Sequence, residues 1–214
     1  VEAARIVLKA AIAAGAPEDI IGWIEEPTVP LSQQLMQHPA ISLVLATGGP
    51  GMVKAAYSCG KPALGVGAGN TPALIDETAD IQLAVSSILM SKTFDNGVIC
   101  ASEQSIVAVA AVYDKVKAEL AARGAFILDA EGKRKVGETV IKDGKLNAEI
   151  VGQPAEKIAK LAGIHVPVDA KVLVGEAEII AHEEPFAHEK LSPVLALYKA
   201  ADYADAMNKA AKLV

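Results

Sequence analysis

A thiol, a carboxylate and two glycine-rich turns are the parts of this sequence able to do chemistry. Cys100 closes the run Phe94-Asp95-Asn96-Gly97-Val98-Ile99-Cys100. A lone cysteine ordinarily behaves as a small buried hydrophobe. Here Asn96 and Gly97 put the thiol on a turn loosened by glycine, and Asn96, Ser102 and Glu103 make its flanks polar, the setting of a nucleophile. Cys59, in Ala56-Tyr57-Ser58-Cys59-Gly60, ends a helical stretch and reads as structural and buried.

Thr47-Gly48-Gly49-Pro50-Gly51 lies between an aliphatic strand and a helix. Its glycines would let a ligand approach the backbone, and the helix N-terminus would favour an anion or a pyrophosphate. A plain tight turn with Pro50 at the helix start accounts for the same residues equally well. Gly65-Val66-Gly67-Ala68-Gly69 looks like a dinucleotide loop, but Pro72 and Ala73-Leu74-Ile75 follow where a phosphate-facing helix should begin. The segment reads instead as backbone packed closely under something flat. Glu189, between His188 and Lys190, reads by composition as solvated. His38, His165, His182 and His188 have no metal-ligand spacing, so no metal site is expected.

The elements that must position these groups follow from hydrophobic period. Val1 to Ile12 recur at helical spacing up to Gly15; Ile20 to Ile24 reads as a short buried strand; Leu31 to Met36 suggests a helix. Ile41 to Ala46 is a strand, Met52 to Ser58 a helix, Ala63 to Val66 and Ala73 to Ile75 further strands. This β-α-β alternation predicts a parallel sheet. Asp80 caps a helix to Thr93 with Ile81, Val85, Ile88 and Leu89 inward. Beyond the cysteine, Ser105 to Ala111, Phe126 to Leu128, Lys171 to Gly175 and Val194 to Tyr198 are strands, and Glu178 to Ala181 is expected to extend the sheet. Helices are expected over Tyr113 to Arg123, Glu131 to Lys142, Ala155 to Ala162 and from Tyr203, with a polar loop over His182 to Ser192.

Composition sets bounds. With 214 residues, 52% of them hydrophobic, the chain buries a sizeable core, and with only 4% aromatic that core is aliphatic, as in α/β proteins. The net charge of −6 without a basic run gives no footprint for nucleic acid or for a membrane surface. Two cysteines make no disulfide framework, so a reducing cytoplasm is expected. Val1 falls inside a running helical pattern and reads as an internal point of a longer chain.

Four segments together are similar to the aldehyde dehydrogenase superfamily, and most closely to the CoA-acylating domain of bacterial bifunctional aldehyde–alcohol dehydrogenases. They are Ala46 to Val53 (ATGGPGMV), Gly65 to Pro72 (GVGAGNTP), Phe94 to Gln104 (FDNGVICASEQ) and Pro185 to Pro193 (PFAHEKLSP). The resemblance implies an α/β fold: a parallel, Rossmann-like sheet in residues 1–68, part of an NAD-binding domain, followed by part of a catalytic thiol domain in residues 69–214. It implies that Cys100 is the nucleophile, and that Thr47, Gly48 and Gly49 lie near the dinucleotide phosphates. Val66, Gly67 and Leu191 belong to the cofactor site, and Glu189 binds the nicotinamide ribose hydroxyls, a role suited to a carboxylate facing a diol.

One departure is informative. Hydrolytic members carry a general-base glutamate at the position matching Val66, and valine cannot activate water, so a thioester on Cys100 would wait for a better nucleophile such as CoA. The implied reaction is acetaldehyde + CoA + NAD to acetyl-CoA + NADH, run fermentatively in reverse, with the backbone N–H of Cys100 helping to hold the oxyanion. A homo-oligomer or filament of the full-length protein is implied as well. Little turnover is expected from the 214 residues alone.

Overall fold

The computed structural model describes all 214 residues, which separate into two compact units, Val1–Ala68 and Gly69–Val214. The first unit contains α1 (Glu2–Ala13), α2 (Val29–Gln37), β1 (Val44–Thr47), α3 (Pro50–Tyr57) and β2 (Ala63–Val66). β1 and β2 pair in parallel, with Thr47 opposite Val66. Its buried apolar cluster is small: Val44, Ala46 and Ala56, flanked by the partly buried Met36, Ile41, Cys59 and Ala63. Cys59 is thus a half-buried packing residue.

Ile20 to Ile24 is not a strand, and Ile20 is exposed. A strand needs a partner for its amides, and β1 pairs only with β2. The segment is shaped instead by Glu25, whose carboxylate accepts from Trp23 Nε1 at 2.9 Å and from Arg5 Nη2 at 2.9 Å.

The second unit is built on a five-stranded sheet in the order β3-β4-β9-β8-β5, parallel throughout. Its strands are β3 (Pro72–Ile75), β4 (Ser105–Val109), β5 (Ala125–Ile127), β8 (Val172–Ala177) and β9 (Val194–Ala200). A short antiparallel pair, β6 (Ile141–Lys142) with β7 (Lys145–Leu146), gave no hydrophobic signal in the sequence; the left-handed Asp143 and Gly144 make its turn. The helices are α4 (Ile81–Thr93), α5 (Ala110–Ala122), α6 (Ala130–Val140), α7 (Ala155–Leu161) and α8 (Tyr203–Leu213).

β4 is buried at every position and β9 at all but Lys199. Unbroken aliphatic runs of this kind need helices over both sheet faces. Side-chain caps start those helices at fixed points: Asp80 accepts from Leu83 N–H at 3.0 Å, Asp129 from Gly132 N–H at 2.7 Å and Asp202 from Asp205 N–H at 2.8 Å.

Two expectations are corrected here. Glu178 to Ala181 does not extend β8: pairing with β9 ends at Ala177 opposite Tyr198, and Ile179 is exposed. The segment His182 to Ser192 is not a solvated loop either, because Phe186, Lys190 and Ser192 are buried. Phe186 enters the core because Gly175 has no side chain; a Cβ there would overlap its ring.

Candidate active site

Cys100 is exposed and follows a tightly folded turn. Asp95, Asn96 and Gly97 all have left-handed backbones, with φ of 48°, 51° and 69°. Asx residues and glycine tolerate that conformation best. The turn is not loose: a Cβ on Gly97 would lie 2.8 Å from Ser192 O and 2.9 Å from Lys92 O. Glycine here permits close packing of the cysteine turn against the segment that carries Glu189 and Leu191.

Glu189 reaches the same place from the other side. Its Oε1 accepts from Gly69 N–H at 3.2 Å, leaving Oε2 without a hydrogen bond to protein. A Cβ on Gly69 would meet Cys100 O at 3.1 Å and Glu189 Oε1 at 4.0 Å. The bare backbone of Gly69 therefore separates the cysteine's peptide from the carboxylate. Burial raises the Glu189 carboxyl above its ordinary range, and the Gly69 N–H, Lys92 and Lys190 oppose that shift. Leu191 is left-handed at φ 44°, a conformation that turns the chain between Lys190 and Ser192. Asn70 holds the preceding stretch, its Nδ2 donating to Ala187 O at 2.6 Å and to Leu213 O at 2.7 Å.

Sequence reasoning missed the polar groups beneath these residues. Lys92 and Gln104 are fully buried, as is Lys190. Gln104 Oε1 accepts both from Lys92 Nζ, at 3.2 Å, and from Lys190 N–H, at 3.0 Å. Lys190 Nζ donates to Phe186 O at 2.8 Å and to His188 O at 2.6 Å. One signal was available for Lys92: it continues the Val85, Ile88, Leu89 stripe at helical spacing, so a cation falls on the apolar face of α4.

Burial lowers the Lys92 ammonium to about 7, with Glu103 and Glu189 pulling it back up. Lys190 is held well below its ordinary value by burial and by Lys92. An unfolded lysine titrates near ~10.4, so above about pH 7 the unfolded chain binds a proton that folded Lys92 has released, and stability rises with pH up to about 10. Lys92→Met should therefore reduce that slope, leaving the share that Lys190, depressed in the same sense, contributes. Denaturant midpoints at pH 7 and 9.5, followed by circular dichroism because the single tryptophan lies outside this unit, check it; a slope equal to wild type would contradict the expectation.

In the first unit the candidate residues sit at the carboxyl ends of β1 and β2. Thr47 and Val66 are register partners, and Gly48 N–H donates to Val66 O at 3.0 Å. Gly49 is the N-cap of α3, with Pro50 in the first turn. A cleft of about 340 Å³ opens beside Thr47 and Met52, lined otherwise mainly by apolar side chains such as Leu35, Met36 and Leu45. The carboxyl ends of parallel strands are where open α/β sheets take ligands. Gly65 carries no ligand surface: Tyr57 packs over it, the hydroxyl accepting from Gly65 N–H at 3.0 Å. At Gly65 the flat neighbour expected over this segment is the ring of Tyr57. Val66 is exposed, and nothing lies within 4 Å of a Cβ on Gly67.

No group of three or more His, Cys, Asp or Glu side chains is arranged to hold a metal ion, and no helix is long and apolar enough to cross a membrane.

Residues 2–212 match the model of the aldehyde dehydrogenase family. The chain belongs to that family. This aldehyde dehydrogenase chain is 64% identical over 213 residues to the bifunctional aldehyde-alcohol dehydrogenase AdhE of Escherichia coli, covering all of the chain and 24% of that protein. It superposes on an acetylating aldehyde dehydrogenase from Geobacillus thermoglucosidasius with a TM-score of 0.95 at 50% identity, covering 99% of the chain and 47% of the other. A propionaldehyde dehydrogenase from Rhodopseudomonas palustris, solved with bound CoA and an acylated cysteine, matches with a TM-score of 0.87 at 32% identity over 98% of this chain and 48% of its own. The aldehyde dehydrogenase chain thus spans about a quarter of the bifunctional relative and about half of these solved structures.

Proposed function

We propose that this chain carries the thiol centre of a CoA-acylating, NAD-dependent acetaldehyde dehydrogenase, an oxidoreductase that interconverts acetaldehyde and acetyl-CoA. The observation that carries the reading is an exposed Cys100 on a rigid turn, one glycine backbone away from a carboxylate with a free oxygen. The names of the relatives, acetylating or aldehyde-alcohol dehydrogenases, agree with it.

Cys100 thiolate adds to the aldehyde carbon, forming the C–S bond while the carbonyl π pair moves to oxygen, and the backbone N–H of Cys100 steadies that oxyanion. The nicotinamide cofactor, when bound, supplies the acceptor for the hydride that leaves this carbon. Cys100 then holds the acyl group as a thioester. CoA thiolate adds to the acyl carbon and Cys100 leaves as thiolate, free for another turnover. Val66 offers no carboxylate to activate water, so the thioester is kept for CoA. Within the second unit Glu189 fits a vicinal ribose diol through Oε2, with Leu191 beside it; in the first unit, taken by itself, Thr47, Gly48, Gly49 and Gly67 are suited to contact a dinucleotide.

The test is intact mass of the full-length protein incubated with acetyl-CoA in the absence of NADH. Wild type should gain one acetyl group and Cys100→Ala none. No adduct on wild type, or an equal one on the variant, overturns the assignment.

A further inference from the structure

Beneath the thiol turn, one side-chain oxygen is shared by two otherwise separate segments. Gln104 Oε1 accepts from Lys92 Nζ, in the last turn of α4, and from the backbone N–H of Lys190, 86 residues further along the chain. The N–H of Lys190 belongs to the same peptide group as the carbonyl of Glu189. Anchoring that N–H fixes the plane from which the Glu189 side chain departs. Gln104 is itself immobilised: it is fully buried, its own N–H donates to Thr71 O at 2.8 Å, and Nε2 is 3.4 Å from Ser102 O. Lys92 Nζ, on the same oxygen, holds the Gln104 amide from the side of α4 and so fixes the direction in which Oε1 faces Lys190.

The other end of this segment is equally constrained. Lys190 Nζ satisfies two carbonyls on its own loop, and Leu191 O accepts from Gly152 N–H at 2.9 Å. The carboxylate of Glu189, by contrast, has only the 3.2 Å bond to Gly69. Its aim is therefore set mainly through the backbone.

We propose that Gln104 is a positioning residue for the nicotinamide cofactor, acting through the Lys190 peptide to aim the Glu189 carboxylate at a ribose diol. The inference rests on the reading of Glu189 given above. Gln104 touches neither thiol nor cofactor in this account. A carboxylate oxygen misplaced by about 1 Å loses much of its hydrogen bonding to the diol.

The test is equilibrium binding of NADH to the full-length protein, by its fluorescence, in a cycle of variants. Gln104→Met keeps the volume and removes the acceptor; its NADH Kd should rise about tenfold while acetyl labelling of Cys100 by acetyl-CoA stays within about twofold of wild type. Gln104→Glu keeps an acceptor oxygen and should restore the Kd to within about threefold. Glu189→Ala should also weaken NADH, and the Gln104→Met/Glu189→Ala double variant should bind no more weakly than Glu189→Ala alone, because the first acts through the second.

An unchanged Kd in Gln104→Met, additive losses in the double variant, or parallel losses of labelling and binding that Gln104→Glu does not repair would overturn the proposal. If Glu189→Ala binds NADH as wild type does, the ribose role of Glu189 fails first and takes this inference with it. Should Gln104→Met not fold, Gln104→Asn, which withdraws the acceptor by one methylene, enters the same cycle with the same expected outcomes.

Discussion

Cys100→Ser in the full-length protein is expected to lower acetyl-CoA-dependent NADH oxidation by about 10⁴-fold or more, with NADH binding unchanged. Loss of a covalent nucleophile typically removes factors of this order. A hydroxyl remains able to attack only if a base takes its proton, whereas a thiol reaches its reactive anion far more readily. The deficit should fall on kcat, since no contact to the dinucleotide is assigned to the sulfur. Stopped-flow absorbance at the NADH band, beside a binding titration, separates the two. Residual turnover of a few per cent would mean that the acyl group is carried elsewhere.

The second large effect is on stability. Gly97→Ala places a methyl group 2.8 Å from Ser192 O and 2.9 Å from Lys92 O at a φ of 69°. The left-handed backbone alone costs about 1–2 kcal/mol for a residue with a Cβ. Overpacking typically adds about 1–3 kcal/mol. Neither obstacle can swing away, because both are main-chain oxygens. A loss of about 2–5 kcal/mol is a large share of the ~5–15 kcal/mol that holds a typical domain together. Urea denaturation should show it, and alkylation of Cys100 should report a displaced turn. A midpoint within experimental error of wild type would mean that the turn moves freely away from Ser192, contrary to its packing.

What the sequence made legible was local. Asp80 announces α4 because a cap works within three residues, and the aliphatic runs Ser105–Val109 and Val194–Ala200 announce buried strands because burial on both faces leaves no polar alternation. The thiol and the carboxylate stand in motifs, so resemblance to a family could name them. Lys92, Gln104 and Lys190 were not legible as a group. Charged side chains are read as solvated, and what keeps these inside is hydrogen bonding between residues far apart along the chain. Ile20 to Ile24 failed for a related reason. Apolar residues in a row fit a strand, but whether an edge is available to pair with is decided by tertiary structure.

The continuous core of Gly69–Val214 governs how that unit opens. In Val1–Ala68 the buried apolar cluster consists of Val44, Ala46 and Ala56, and strands of four residues share one ladder. In Gly69–Val214 a continuous core runs from Ile75 to Leu213 around five paired strands. Amide protons of β4, β8 and β9 are thereby released only when that core breaks, so their exchange should report the global opening of this unit and not a local one.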